Sequence, residues 1–254
     1  METVDLGGGV KMELVWVPAG SFQMGSTDSE VARDNEGRDN EGPNDESPVH
    51  TVELDGFWMG KFEMTQEQYQ AVMGKNPSYF KGAKNPVERV SWNDAADFCR
   101  KLTDSVGRAC SPASAGRTFR LPTEAEWEYA CRAGSTTRFC FGDSDGGLGA
   151  YAWYDGNSRK QTHPAGERKP NAWGLYDMHG SVWEWCGARP GEKYYDDSDR
   201  KDPQRPSSDG IRMLRGGSWR DGPGSCRSAS RNRGDPRKAI VNSIGFRVVV
   251  SPTR

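Results

Sequence analysis

Downstream of Gly134 the chain is irregular for most of its remaining length, rich in Gly, Asp and Asn and interrupted by scattered Trp and Tyr. A segment so poor in aliphatic side chains cannot bury itself as regular layers. Any fold that contains it needs another fastening, through bound ions or internal aromatic packing. Composition agrees: hydrophobic residues are 34% of the 254, yet aromatics reach 10% and nine of them are Trp. The 31 Gly and 15 Pro approach a fifth of the chain without collagen's period. Too few aliphatics remain for a doubly wound α/β protein, whose central strands are continuous Val/Ile/Leu runs. A formal net charge of −2 gives no reason to expect nucleic acid or a membrane surface as partner.

Three helices are predicted from their caps. Thr65 precedes Gln68 by three residues, ahead of Tyr69, Val72 and Met73, and Gly74 closes the pattern. Ser91 precedes Asp94, with Ala95, Phe98 and Leu102 on one face. Thr123 precedes Glu126, followed by Trp127, Ala130 and Cys131, with Gly134 ending the run. In each capping box two side chains satisfy orphan backbone donors reciprocally. Residues 11–26 predict two short strands around Pro18 and Gly20, and residues 244–250 one final core strand.

Residues 27–47 carry eight Asp/Glu against two Arg and a tandem RDNEG repeat, which predicts a flexible acidic surface loop. No composition break marks a linker, so residues 1–254 are expected to form one domain. The longest apolar run near the N-terminus is Leu14–Pro18, too short for a signal peptide or a spanning helix. A cytoplasmic location without membrane insertion is the default expectation. The six Cys include no CxxC pair, so neither zinc spacing nor a disulfide framework is indicated. HExxH and a phosphate-cradling Gly loop are both missing.

Six words then occur in order: Val15–Gly25, Pro86-Val87 with Val90-Ser91-Trp92, Arg120–Glu128, Gly174–Trp185, Arg215–Trp219 and Gly245-Phe246-Arg247. In this the chain resembles the formylglycine-generating enzyme (sulfatase-modifying factor) family. That resemblance implies an α+β variant of the C-type lectin fold, loop-rich, with short antiparallel strands and about three helices.

The family's copper-dependent oxidases hold Cu(I) with two Cys that follow the Gly-Gly-Ser word, because a soft ion favours thiolates. By resemblance the second of these is Cys226, while the first position carries Asp221, a hard carboxylate. Copper is therefore not expected, and Cys226 is expected to be a small core thiol. Cys186 has no sequence reason to approach it. The family's iron-dependent sulfoxide synthases use three His. Here His50, His163 and His179 lack suitable spacing, so hydrogen-bonded or solvated roles are expected. The family's calcium positions map onto Asp177, Gly180, Val182 and Glu184, two carboxylates bracketing two backbone carbonyls, which implies structural calcium. A second family calcium site, mapping near residues 151–157, lacks matching ligands.

Between Arg212 and Lys238 eight Lys/Arg face two Asp. Arg227, Arg231 and Arg233 alternate with Ser228, Ser230 and Asn232, as on a strand that braces through one face and displays the other. Nearly every intervening residue is reachable from an Asn codon by changing adenines, Lys238 excepted. The layout from Gly216–Trp219 through Arg227–Arg231 to Gly245–Arg247 resembles the variable region of proteins diversified by retroelements. That implies a noncatalytic protein with a binding surface at residues 219–243, for an unknown protein or small-molecule ligand. Its outward residues would be Arg220, Asp221, Gly222, Gly224, Ser225, Ser230, Asn232, Gly234, Asp235, Arg237, Ala239, Ile240, Val241, Asn242 and Ser243. Nucleic acid is not expected, since stacking aromatics beyond Trp219 are missing. The alternative is an oxidase converting a substrate cysteine to formylglycine with Cys226 as one ligand.

Overall fold

The computed structural model describes residues 1–27, 30, 46–108, 117–187 and 210–251. Strands β1 (Glu2–Asp5), β2 (Lys11–Val17), β5 (Phe57–Gly60), β6 (Thr118–Arg120) and β11 (Val249–Ser251) build a five-stranded antiparallel sheet in the order β1-β2-β5-β11-β6. A four-stranded sheet has the order β10-β7-β8-β9, from Trp183–Trp185 (β7), Arg212–Arg215 (β8), Arg231–Gly234 (β9) and Ile244–Gly245 (β10). One of its pairings, β10 with β7, is parallel. Strands β3 (Gly20–Met24) and β4 (His50–Leu54) form a separate antiparallel pair. Among the described residues no helix is long and apolar enough to cross a membrane.

Helices α1 (Gln66–Met73), α2 (Trp92–Arg108) and α3 (Glu124–Arg132) stand where their caps place them. Thr65 and Gln68 close a capping box, as do Thr123 and Glu126. Ser91 and Asp94 bond reciprocally, Asp94 N–H to Ser91 Oγ at 3.0 Å and Ser91 N–H to Asp94 Oδ2 at 3.1 Å. Helix α1 ends on Gly74 at φ 73°, but α3 ends one residue before Gly134, with Ala133 itself left-handed at φ 47°.

Two strand expectations change. Strands β2 and β3 flank Pro18 as predicted, yet they pair with β1 and β5 and with β4, not with each other. The expected final strand is two strands in different sheets. Gly60 N–H bonds Val248 O at 2.8 Å and Met64 N–H bonds Phe246 O at 2.9 Å, which turns the chain from one sheet to the other. Gly245 allows the passage, because a Cβ there would lie 2.4 Å from Val87 O.

Aromatic packing fastens much of the irregular half. Tyr69, Phe98 and Phe246 meet at 5.3–6.2 Å between ring centroids. Phe139, Phe141 and Tyr151 stack at 4.5–5.0 Å. Indole N–H groups cross between elements: Trp185 to Val90 O at 3.0 Å, Trp92 to Cys186 O at 2.8 Å, and Trp219 to Asn242 O at 3.0 Å.

Buried arginines complete the fastening. Arg215 on β8 is fully buried, pairs with Glu128 of α3 and donates to Ser230 O at 2.7 Å. Glu128 also accepts from Arg132 at 2.9 Å and from Gly25 N–H at 2.9 Å. Of the acidic segment 27–47, most residues lie outside those described, but its end is neither solvated nor loose. Glu46 is buried, and Arg227 donates to both its carboxylate oxygens at 2.8 and 2.9 Å. Removing one partner of a buried pair strands the other charge, which costs about 3–5 kcal/mol. Glu128→Ala should therefore lower the unfolding free energy by about that much, measured by denaturant titration, while Arg100→Ala in the exposed Arg100–Asp97 pair changes it by less than about 1 kcal/mol.

Candidate functional site

The segment from Trp219 to Ser243 leaves β8, turns through a 3₁₀ turn at Pro223–Cys226, forms β9 and returns toward β10. Of the expected outward residues, Arg220, Asn232, Arg237 and Ile240 are exposed. Gly222, Gly224, Ser225, Gly234, Asp235, Ala239, Val241 and Asn242 are half-buried at the same surface. Ser230 and Ser243 are buried and point inward. Asp221 is half-buried, but its carboxylate serves the framework, accepting from Trp183 Nε1 at 2.9 Å and from Ser218 Oγ.

The expected alternation holds only in part. Arg227 and Arg231 do brace, the latter donating to Glu124 at 2.6 and 2.9 Å, whereas Arg233 is exposed. Ser228 is fully buried because this stretch runs against α3, with its Oγ 3.6 Å from Cys131 Sγ. Burial alone would raise the Glu124 carboxyl, but Arg231 and Arg215 outweigh it and hold it below the ordinary range.

Several framework groups grip the segment by its backbone. Arg215 takes the Ala229 and Ser230 carbonyls, Trp219 Nε1 takes Asn242 O, and Trp183 N–H takes Ser243 O at 2.9 Å. Arg89 N–H takes Val241 O at 3.3 Å and Asn93 N–H takes Pro236 O at 3.2 Å. Backbone acceptors are the same whatever the side chain, so these contacts survive sequence change at the surface.

Cys226 lies in an apolar cluster with Phe139, Leu148 and Ala152. Burial, and then the charges of Asp221 and Asp155, push its thiol well above the usual range. Gly217, at φ 74°, closes over it: a Cβ there would sit 2.7 Å from Cys226 Sγ. Cys186 belongs to a different cluster, around Trp127. The residues present do not fit a two-thiolate copper site. Asp221 offers a hard oxygen already engaged by Trp183 and Ser218, which leaves Cys226 without its second thiolate partner.

His179 sits beneath this cluster and is fully satisfied. Its Nδ1–H donates to Cys226 O at 2.8 Å, and Nε2 accepts from Cys140 N–H at 3.2 Å, which fixes a neutral tautomer. His163 stacks on Trp153 at 3.7 Å and bonds Ser158 O at 2.7 Å. His50 Nδ1 bonds Pro48 O at 3.1 Å, so the three histidines are dispersed. Among the described residues no three His, Cys, Asp or Glu side chains are arranged to hold a metal.

Of the four calcium positions, Asp177 and Glu184 lie near enough to feel each other's charge, and Glu184 is already engaged. Glu184 is fully buried, and Arg247 donates to both its oxygens at 2.6 Å while Trp127 Nε1 adds a third bond at 2.8 Å. Asp177, at φ 56°, accepts Gly166 N–H at 2.7 Å through Oδ2, and its buried Oδ1 has no hydrogen-bond partner. Burial raises its carboxyl to about 6, with the Glu184 charge adding to the effect. A third carboxylate, Glu63, accepts Val182 N–H at 3.0 Å and Ser181 Oγ–H at 2.7 Å. Burial, Asp177 and Glu184 all push Glu63 up. Sequence reading missed Glu63, whose only signal is an acid inside the apolar run Phe62–Met64. The guanidinium of Arg247, which also donates to Gly60 O at 3.2 Å and Tyr176 O at 3.1 Å, supplies the positive charge of this cluster. Of the four positions, Glu184 has both oxygens engaged by Arg247 and Trp127, while Asp177 keeps one oxygen unpartnered.

One further element borders the surface. Residues 76–88 form a loop pinned from below by buried polar groups. Glu88 Oε1 accepts Phe80 N–H at 2.8 Å, and Glu88 N–H bonds Ser78 Oγ at 3.1 Å. Gln66 donates to Phe80 O at 2.7 Å and accepts from Asn76 at 2.9 Å and from Gly82 N–H at 3.2 Å. Phe80 packs edge-on against Trp219 at 5.4 Å. No sequence motif signals this loop, since its partners are distant in sequence.

Residues 9–252 match the family model of the sulfatase-modifying factor enzyme 1-like domain. The chain belongs to this family. Within it, a formylglycine-generating enzyme of Streptomyces coelicolor is 36% identical over 178 residues, covering 64% of this chain and 52% of that enzyme's length. A chaperone protein, LppX, of Paenibacillus barcinonensis is matched over 53% of this chain and 63% of its own length. The chain thus spans only part of these curated relatives. Treponema denticola variable protein 1 superposes with a TM-score of 0.84 at 31% identity, covering 99% of both chains. The sulfatase-modifying factor enzyme 1-like fold, a C-type lectin variant, and the resemblance to a retroelement-type variable protein are both borne out.

Two measurements probe this region. Adding calcium or a chelator should leave the melting temperature unchanged, because Arg247 already occupies Glu184. A saturable calorimetric heat with a chelator-reversible rise in melting temperature would show the ion displacing that guanidinium. Burial raises the Glu88 carboxyl from 4.5 to about 7, so its protonated form favours the folded state. That contribution is complete below pH 4.5 and is lost as pH rises through 7. Glu88→Gln should therefore gain stability relative to the parent between pH 5.5 and pH 8, seen in paired denaturant titrations.

Proposed function

We propose that this protein is a noncatalytic binding protein whose ligand-contacting surface is the segment from Trp219 to Ser243, held on a rigid sulfatase-modifying factor scaffold. The observation that carries the reading is the pair Asp221 and Cys226. Where a copper oxidase of the family needs two thiolates, this chain has a carboxylate bonded to Trp183 and a thiol sealed among Phe139, Leu148 and Ala152. The backbone grip on residues 229–243 supports a display role, since it fixes the loop path while Arg220, Asn232, Arg237 and Ile240 stay exposed. Rigidity favours binding, because contacts then carry little ordering cost. Likeness to a variable protein over the full chain supports retroelement diversification of this surface. The ligand class is a protein or small molecule, and the location is cytoplasmic. Structural calcium is not part of the reading.

The oxidase reading rests on a specific observation too, the 36% identity to a formylglycine-generating enzyme. Titration of the reduced protein with Cu(I) against a chromogenic chelator separates the two. The binding reading expects no tight stoichiometric copper and no oxygen uptake with a cysteine peptide. Tight copper lost in Cys226→Ser, together with conversion of the peptide thiol to an aldehyde, would overturn it. For diversification, the flanking DNA should hold a near-repeat of the codons for Trp219–Phe246 that differs at adenines, beside a reverse transcriptase gene.

A further inference from the structure

The loop of residues 76–88 is held from below by buried polar side chains. Gln66, Ser78 and Glu88 are each at most 2% exposed, and together they fix the backbone from Asn76 to Gly82. Tyr79, at the crest, is 62% exposed, and its ring meets only its neighbour Phe80, at 5.0 Å, among the ring contacts described. Phe80 in turn rests on Trp219, where the display segment begins.

On the other flank, Arg89 N–H holds Val241 O and Trp219 Nε1 holds Asn242 O. The residue just before them, Ile240, is 75% exposed. Two large apolar side chains thus stand out on adjoining segments, one from the scaffold and one from the display loop. Rigid aromatic and aliphatic side chains that project without internal duty are the usual energetic anchors of protein interfaces. Basic side chains flank both. Lys81 and Arg89 both act on the Glu88 carboxyl beneath the loop, Arg220 adjoins Trp219, and Lys238 lies two residues before Ile240. The local acid Asp235 is engaged with Arg237 at 2.9 Å.

We propose that Tyr79 and Ile240 are a paired apolar anchor for a protein partner whose contacting surface sets apolar side chains within an acidic rim. The inference rests on the binding reading above and adds to it. Part of the affinity comes from a scaffold residue that lies outside the display segment and stays constant when that segment changes. Basic groups around the pair steer and orient an acidic partner, and the apolar contacts hold it.

Random linear peptides displayed on phage and selected on the immobilised full chain provide the probe. Enriched peptides should combine Asp or Glu with an apolar residue and should bind more weakly as salt rises. Tyr79→Ala and Ile240→Ala should each weaken a selected peptide about tenfold without lowering the melting temperature. Trp16→Ala, an exposed aromatic on β2 of the five-stranded sheet, should change affinity by less than about twofold. Peptides that respond to Arg220→Ala and Asn232→Ala but not to Tyr79→Ala would overturn the anchor and leave the binding reading standing. Insensitivity to all four substitutions would overturn both. Failure to enrich any acidic peptide, or self-association of the chain abolished by Tyr79→Ala, would also overturn the anchor, the latter by assigning the patch to a second copy.

Discussion

Buried guanidinium–carboxylate pairing holds this structure together. Arg215, Arg227, Arg231 and Arg247 all reach from the C-terminal half into acids supplied by other elements: Glu128, Glu46, Glu124 and Glu184. A guanidinium presents five donors in a plane, so one side chain can bind a carboxylate and still take backbone carbonyls from two loops. Arg215 does so with Glu128, Ala229 and Ser230, and Arg247 with Glu184, Gly60 and Tyr176. Such pairs gain little over a hydrophobic core of equal volume, but each is intolerant of losing one member. They specify which loop lies where, in a chain with too few aliphatic side chains to do so by packing alone.

This division explains how scaffold and surface stay independent. Arg215, the Trp219 indole and the backbone donors of Arg89, Asn93 and Trp183 hold residues 229–243 through main-chain oxygens. A two-thiolate copper site, as the family resemblance implies, would instead need two side chains of this segment as ligands. Here Asp221 does turn inward, but to Trp183 and Ser218, and its carboxylate has become part of the frame.

What the sequence makes legible follows interaction range. All three helices are readable because each capping box lies within four residues, and Ala133 ends α3 one position early only because a left-handed turn is available to either residue. Spaced words carry the fold, and the Asp221 departure stands in the sequence itself. Strand pairing is not legible: β2 and β3 look like a hairpin, but their partners are set by residues up to β5. The burial of Ser230 and Ser243, the role of Glu63 and the pinning of Phe80 by Gln66 and Glu88 all depend on contacts beyond the reach of any capping or turn pattern. Arg247 shows the limit most clearly, since a word that identifies the family also carries the side chain that takes up its expected calcium ligand.

Strand β11 lies between β5 and β6, so the larger sheet is divided until the last part of the domain arrives. During synthesis every residue of the display segment leaves the ribosome before that strand does. The nascent chain must therefore hold an open, unsealed sheet while residues 219–243 are still unanchored. A sequence at Arg220–Ser243 able to form a strand would compete with β11 for the open edges of β5 and β6.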